Sequence, residues 1–286
     1  MHPILPLLEQ RLRERITDLR PVGGGSINAT FAVRTASGAR YFCKHNSAPK
    51  FPHLFSCEAD GLKLIAEQQL IRTPRIHDMF ETAADQVLLL EWIDDGTPGT
   101  AFWERFGREL AALHGCRAPQ FGGTPDNYMG SVPQPNRAHP RWSDFFLGER
   151  LLPLVRRCQD AGLLPVATAA AIEGLDRHLP GLFGDPAPAL LHGDLWSGNF
   201  LCAGNGDPVL IDPAVYYGHP AMDLGMTTLF GGFEPPFYAA YHEASPLPAN
   251  HREQWDVANL YPLLIHLLLF GRSYLPPINE TLTAYR

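Results

Sequence analysis

The chain has 286 residues, 45% hydrophobic and 19% charged, with a formal net charge of −7 and a pI near 5.9. That length buries a substantial core and allows two lobes of unequal size, while the acidic balance without a basic stripe excludes nonspecific binding to nucleic acid and points to a small partner. Cys43, Cys57, Cys116, Cys158 and Cys202 are odd in number and lack C-x-x-C spacing, so they read as reduced thiols rather than metal ligands.

Met1 to Glu9 has neither the basic flank nor the cleavage-like site of a signal peptide. The apolar stretch from Leu260 to Phe270 is interrupted by Pro262 and His266, and it falls short of the ~20 residues a membrane span requires. The expected location is the cytoplasm, with no membrane partner.

The segment Val22-Gly23-Gly24-Gly25-Ser26-Ile27-Asn28 precedes a predicted strand from Thr30 to Thr35, a turn at Ser37-Gly38, and a second strand from Arg40 to Lys44. Glycines let backbone N–H groups approach phosphates, and Lys44 at a strand end can pair with phosphate oxygens. No G-K-[ST] follows, so this is not a Walker A loop. A glycine triplet alone is more often a flexible turn; the strand-borne lysine gives this one its meaning.

The next stretch, 55–67, has apolar residues at helical spacing, with Leu62, Ile65 and Ala66 on one side. Glu58 falls in its first turns and is the carboxylate expected to hold Lys44, the bland alternative being an acid favoured by the helix dipole. The apolar strand Gln86 to Ile93 then runs into a turn at Asp94-Asp95-Gly96. It is read as the linker between lobes, with Glu91, Trp92 and Ile93 against an adenine edge, or else as a plain buried strand. Helical periodicity covers 102–114 and 151–178, broken near Gly162 and Pro165, and the Gly, Pro and Asn content of 122–140 predicts a loop. Twelve histidines lack the paired spacing of a zinc site.

The most informative segment is His192-Gly193-Asp194-Leu195-Trp196-Ser197-Gly198-Asn199, followed by Leu210-Ile211-Asp212. Asp194 and Asn199 have the gap of the protein-kinase catalytic loop, H-R-D-x-x-x-x-N, whose Asp orients the attacking hydroxyl and whose Asn holds magnesium. Apolar runs 200–202 and 209–211 around the turn formers 203–208 read as a hairpin, and strands about 4.8 Å apart bring Asn199 and Asp212 together. Their hard oxygens suit Mg²⁺, which takes one or two protein groups and fills its shell with phosphate and water. Separately, each residue has a structural reading as N-cap, turn Asn or strand end. Asp223-Leu224-Gly225 imitates the kinase D-F-G, but it follows Gly218-His219-Pro220, a helix start, so Asp223 is expected to brace the catalytic loop rather than bind metal.

Nearly end to end the chain resembles the fructosamine-3-kinase (ketosamine-3-kinase) family, relatives of aminoglycoside and choline kinases. The resemblance runs through the glycine triplet, Lys44, Glu58, Asp126-Asn127-Tyr128-Met129-Gly130, Trp142, Phe145-Phe146, Arg150-Leu151 and Leu191 to Asn199. It continues through Asp212-Pro213-Ala214-Val215-Tyr216-Tyr217-Gly218-His219, Leu229-Phe230-Gly231-Gly232-Phe233, Tyr261 to His266, Phe270-Gly271 and Tyr274. H-G-D-L-W with D-P-A-V-Y-Y-G-H is the narrow part. The chain departs from the family at Ser26, where some members carry cysteine, and at Pro220-Ala221-Met222, where many carry charges.

The resemblance implies an α+β, bilobal protein-kinase-like fold, with an N-lobe at 1–92 and a mainly helical C-lobe at 93–286. It implies ATP-dependent phosphorylation of the sugar 3-hydroxyl of ketosamines on lysine or free amines, with ATP and Mg²⁺, leading to deglycation. In that scheme Asp194 is the catalytic residue, Asn199 and Asp212 hold the metal, and Gly23, Gly24, Gly25, Ser26, Lys44 and Glu58 serve the nucleotide. Trp196, Tyr216, His219, Asp126 and Asn127 are candidate substrate contacts. Two alternatives remain at this point: a kinase of another small hydroxylated amine or sugar, and a nucleotide-binding pseudokinase.

Overall fold

The computed structural model describes residues 4–23 and 27–285, so the expectations for Gly24, Gly25 and Ser26 lie outside the described residues. In the N-terminal part a helix α1 (Leu5–Leu12) leads into β1 (Ile16–Pro21), β2 (Ala29–Thr35) and β3 (Arg40–Ser47), then α2 (Leu54–Glu67), β4 (Ile76–Glu81) and β5 (Asp85–Glu91). The strands form one antiparallel sheet in the order β1-β2-β3-β5-β4. In β2 the side chains alternate, with Phe31, Val33 and Thr35 inward, as a half-buried strand requires.

Strand β5 breaks that alternation, and its place in the sheet explains why. Val87 and Leu89 pack with Ile4 and Leu8 of the N-terminal helix on one face, while Leu88 and Leu90 pack with Leu54, Phe55 and Leu62 of α2 on the other. Both faces are covered, so the run Val87-Leu88-Leu89-Leu90 is apolar throughout.

Beyond a short connection the chain is mainly helical. There follow α3 (Thr100–Leu113), a small hairpin of β6 (Asn127–Met129) and β7 (Val132–Gln134), α4 (Trp142–Phe145) continuing through a wide turn at Phe146–Leu151 into α5 (Leu152–Asp160), α6 (Val166–Glu173) and α7 (Leu179–Phe183). Then come β8 (Ala189–Leu191), β9 (Phe200–Cys202), β10 (Pro208–Leu210), β11 (Tyr216–Gly218), α8 (Ala221–Leu229), α9 (Pro235–Ala244), α10 (His251–Ala258), α11 (Leu260–Phe270) and α12 (Leu275–Leu282). Among the described residues no helix is long and apolar enough to cross a membrane.

The predicted hairpin is present, with Leu210 opposite Phe200 and Pro208 opposite Cys202. The connections before β4 and after β5 are joined to it through backbone bonds: Leu210 N–H donates to Arg72 C=O (2.9 Å), Gly96 N–H to Cys202 C=O (2.7 Å), and Gly204 N–H to Asp94 C=O (2.8 Å). The expected loop 122–140 instead contains the β6–β7 hairpin. Its polar residues are buried as cross-links, Asn127 Nδ2 donating to Val215 C=O and Gln134 Nε2 to Ala214 C=O.

Candidate active site

Lys44, in β3, is almost wholly buried, and its Nζ donates to Glu58 Oε1 of α2 at 2.7 Å and to Asp212 Oδ1 at 2.5 Å. The expected lysine–glutamate pair is therefore formed, and the lysine also reaches the proposed metal carboxylate. Burial works against its ammonium, yet Asp212 and Glu58 more than offset that and hold its pKa above the usual lysine value. Glu58 is pushed upward, because burial outweighs the help from Lys44.

Asn199 stands one residue before β9. Its Nδ2 donates to the Asp194 C=O at 2.8 Å and to Asp194 Oδ2 at 3.0 Å, and its own C=O accepts from Ile211 N–H. This folds the catalytic loop onto the strand end that carries Asp212. His192 adds a second tie: its Nδ1 accepts from Asp194 N–H, which leaves Nε2–H to donate to Ile211 C=O at 2.8 Å. Burial first of all keeps this imidazole neutral, with its pKa below the ordinary value. The Asp194 carboxyl is pushed up to about 7, by burial first and by Asp212 second, with Asn199 acting the other way.

Asp223 does what its position in the first turn of α8 suggested. Its Oδ2 accepts from His192 N–H (2.7 Å) and its Oδ1 from Gly193 N–H (2.8 Å), while His114 Nε2 lies 3.1 Å from Oδ2. Burial opposes its charge, but His114, His192 and the backbone donors hold its pKa below the usual carboxylate range. Between these anchors Gly193 takes φ +84°, and a Cβ there would stand 2.0 Å from the Ala214 carbonyl oxygen. Only glycine fits.

These groups open on a cavity of about 620 Å³, lined by Glu58, Asp194, Asn199 and Asp212 at one end and by Trp196, Phe230, His266, Phe270 and Tyr274 along one wall. Among the described residues its lining includes no lysine or arginine. Three carboxylates meet one ammonium here, an excess of negative charge that suits a cation. Asn199 Oδ1 and Asp212 Oδ2 take no hydrogen bond among the described residues, and both are hard oxygens free for one. Among the described residues no group of three or more His, Cys, Asp and Glu gathers as a metal cluster.

Other predicted site residues lie elsewhere. Tyr216 is fully buried under the Arg150 guanidinium, 4.1 Å from its ring centre, and against Phe145. His219 sits between Trp142 and Phe183, its Nδ1 accepting from Ala221 N–H, and burial drives its pKa down to about 3. Asp126 is exposed and its Oδ1 accepts from Asn136 N–H. None of these three lines the cavity, whereas Asn127 and Trp196 do. Asn127 is tied at both ends of its amide, to Val215 C=O and Gln134 Nε2.

At the linker, Glu91 is turned away. Its carboxylate bonds Arg72 and Arg75 N–H, and its own N–H donates to Arg75 C=O. Trp92 faces a separate small cleft with Arg20, Arg34 and Arg40, and its Nε1 donates to Asp94. Their neighbour Ile93 packs with Ala203 and Val209, flanked by half-buried Leu201 and Ile211. The backbone polar groups of Trp92 and Ile93 make no hydrogen bond among the described residues. Gly23 is exposed, two residues beyond β1. The side chains that sequence reasoning gave no role, Phe230, His266, Phe270 and Tyr274, sat in motifs shared with the resembled family; their convergence on one wall is tertiary.

The family model described as fructosamine kinase matches residues 3–285. A probable ketoamine kinase of Synechocystis is 41% identical over 266 residues, covering 91% of this chain and 87% of that protein. The chloroplastic protein-ribulosamine 3-kinase of Arabidopsis thaliana is 35% identical over 274 residues, covering 94% of this chain and 82% of that protein. The crystal structure of a fructosamine-3-kinase candidate from Thermobifida fusca superposes with a TM-score of 0.89 at 33% identity, covering 99% of this chain and 98% of that one. The chain belongs to the fructosamine kinase family and is an ATP-dependent phosphotransferase with an α+β, protein-kinase-like fold.

Proposed function

We propose that this member of the fructosamine kinase family phosphorylates the 3-hydroxyl of ketosamines, with 1–92 as the lobe that covers ATP and 93–286 as the lobe that holds the acceptor. The observation that carries the reading is the meeting of Asp194, Asn199, Asp212 and Glu58 on one cavity, with the buried Lys44 bonded to Glu58 and Asp212 behind them. The relatives named for ketoamines and ribulosamines support the acceptor class.

In the reaction Asp194 accepts the hydrogen bond, and then the proton, of the 3-hydroxyl, which lines the oxygen up with the terminal phosphate. The new bond is O3 to phosphorus; the broken one frees ADP. Lys44, fixed by Glu58, pairs with phosphate oxygens. The free backbone groups of Trp92 and Ile93 suit an adenine edge, above an apolar floor of Leu201 and Ile211. Asn199 and Asp212 would hold Mg²⁺, which neutralises charge on the triphosphate. Asp223 and His192 keep the loop in place, so most of the acceleration is positioning and electrostatics. In the product the phosphate sits on C3, next to the C2 carbonyl; loss of a C1 proton gives the enaminol, which expels phosphate from C3, and hydrolysis of the resulting C1 imine by water releases the amine and leaves a 3-deoxy dicarbonyl sugar. Five free cysteines suit a reducing cytoplasm.

The test is a coupled ADP assay with ribulosyl-lysine and fructosyl-lysine beside an aminoglycoside and choline, the phosphate being located by NMR. Turnover of a ketosamine with phosphate on O3 supports the reading. Turnover confined to the aminoglycoside or choline contradicts it, and a lack of ATP turnover with every acceptor points to a pseudokinase.

A further inference from the structure

The large apolar side chains most exposed among the described residues are Val166, Phe230, Leu269 and Phe270, and all but Val166 line the cavity. Single exposed apolar residues are ordinary; clustering at a site is not. The rings here form a continuous face that begins at the catalytic loop. Trp196 meets Phe230 edge-on at 6.0 Å, Phe230 meets His266 at 4.9 Å, and His266 meets Phe270 at 5.4 Å and Tyr274 at 5.0 Å. The outermost ring, Phe270, is 56% exposed.

The backbone presents these rings by design of the local sequence. Phe230 follows the last turn of α8 and is succeeded by Gly231 and Gly232, both at positive φ. Gly232 lies so close to Ser197 that a Cβ would stand 2.5 Å from the Ser197 Cβ, so the turn carrying Phe230 is seated on the catalytic loop. Phe270 closes α11, which ends at Gly271 with φ +91°.

Asp194 fixes where O3 of the acceptor lies. Along C3, C2 and C1 the next heavy atom is the amine nitrogen, a substituted ammonium at neutral pH. Among the described residues the cavity lining offers that cation carboxylates and aromatic faces and no lysine or arginine, which is the composition that recognises ammonium groups. The substituent on nitrogen must then leave along the wall toward the mouth.

We infer that Phe230 and Phe270 are specificity-determining residues that bind the N-substituent of the ketosamine, selecting an extended aliphatic stem such as a lysine side chain over a small amine. The inference rests on the ketosamine reading and adds to it which side chains choose the amine. Aliphatic methylenes laid on the wall lose contact with water, and the rings add attraction for the ammonium beside them.

The test uses ribulosamines of methylamine, butylamine and Nα-blocked lysine with the wild type, F230A, F270A and the double variant. The expected KM of the wild type is about tenfold lower for butyl and lysyl than for methyl substituents, from partial burial of the added methylenes. In the double variant this ratio collapses to within about twofold with kcat little changed, the KM-against-kcat split expected of a binding wall. A wild-type KM indifferent to the substituent, or a double variant that raises KM equally for all substrates, overturns the inference. Calorimetric titration with N-butyl and N-methyl 1-amino-1-deoxyribitol, which needs no turnover, separates the two claims: equal affinities overturn the wall, whereas preference for butyl without any ketosamine turnover upholds the wall and removes the reaction.

Discussion

Asp194 carries opposite demands. Burial raises its pKa to about 7, whereas the proposed role as a base needs the charged form, which a cation held at Asn199 and Asp212 would favour. A carboxyl whose folded-state pKa lies above its ordinary value near 3.9 contributes stability below that value and loses it as pH rises through the folded-state pKa, here between about 4 and 7. The neutral isostere should flatten that slope: metal-free D194N is expected to melt higher than wild type at pH 8 and to match it at pH 4, as read by thermal unfolding. The same variant should lose about 10² to 10⁴ in kcat with its KM for ATP changed by less than about threefold, since that is what a general base contributes and the nucleotide contacts remain. Near-normal kcat in D194N removes the base assignment. For Asp212, whose carboxylate touches Lys44, D212A should weaken ATP binding in Mg²⁺ by about tenfold or more, measured by calorimetry, and an unchanged affinity argues against it as a metal group.

The loop 192–194 is held at its ends by other elements, and this is where structural substitutions should reach catalysis. Asp223 of α8 takes the N–H groups of His192 and Gly193. Its pKa is depressed, so its stabilisation is present above the ordinary carboxylate value and lost as pH falls through the folded-state one. D223N should lose about 2 kcal/mol in urea unfolding at pH 7, with the gap to wild type closing below pH 4, because one buried donor is left unsatisfied. G193A should fall to background activity while its circular dichroism stays native, the Ala214 carbonyl being forced off the added methyl. Elements made by local patterns were legible in the sequence: the hairpin from Asn199 to Asp212, the lysine strand, the glutamate helix and the start of α8 all follow from spacing and turn chemistry. The edge strands β1 and β4 were not, because edges with one neighbour carry polar residues such as Asp18, Arg20, His77 and Asp78 that blur the alternation. Tyr216 and His219 show the converse limit. Their motif is distinctive, but Arg150, Trp142 and Phe183, distant in sequence, decide that both are packed inside.

At the scale of the molecule, the ion pairs joining Lys44 to Glu58 and Asp212 span the sheet, α2 and the segment that follows the β9–β10 hairpin. Nucleotide and cation should therefore stabilise the whole chain: at about 100 Kd of Mg-ATP the expected gain is about 2.7 kcal/mol, seen as a raised Tm that K44M largely abolishes. The same junction gathers chemistry from both proposed lobes, with Lys44 and Glu58 from one and Asp194, Asn199 and Asp212 from the other. A complex with Mg²⁺, a non-hydrolysable ATP analogue and a ribulosamine tests that convergence directly. The account predicts a cation bonded to Asn199 Oδ1 and the Asp212 carboxylate, with the 3-hydroxyl within about 3.2 Å of Asp194. A nucleotide seated away from Lys44, or a sugar presenting another hydroxyl to Asp194, would contradict it.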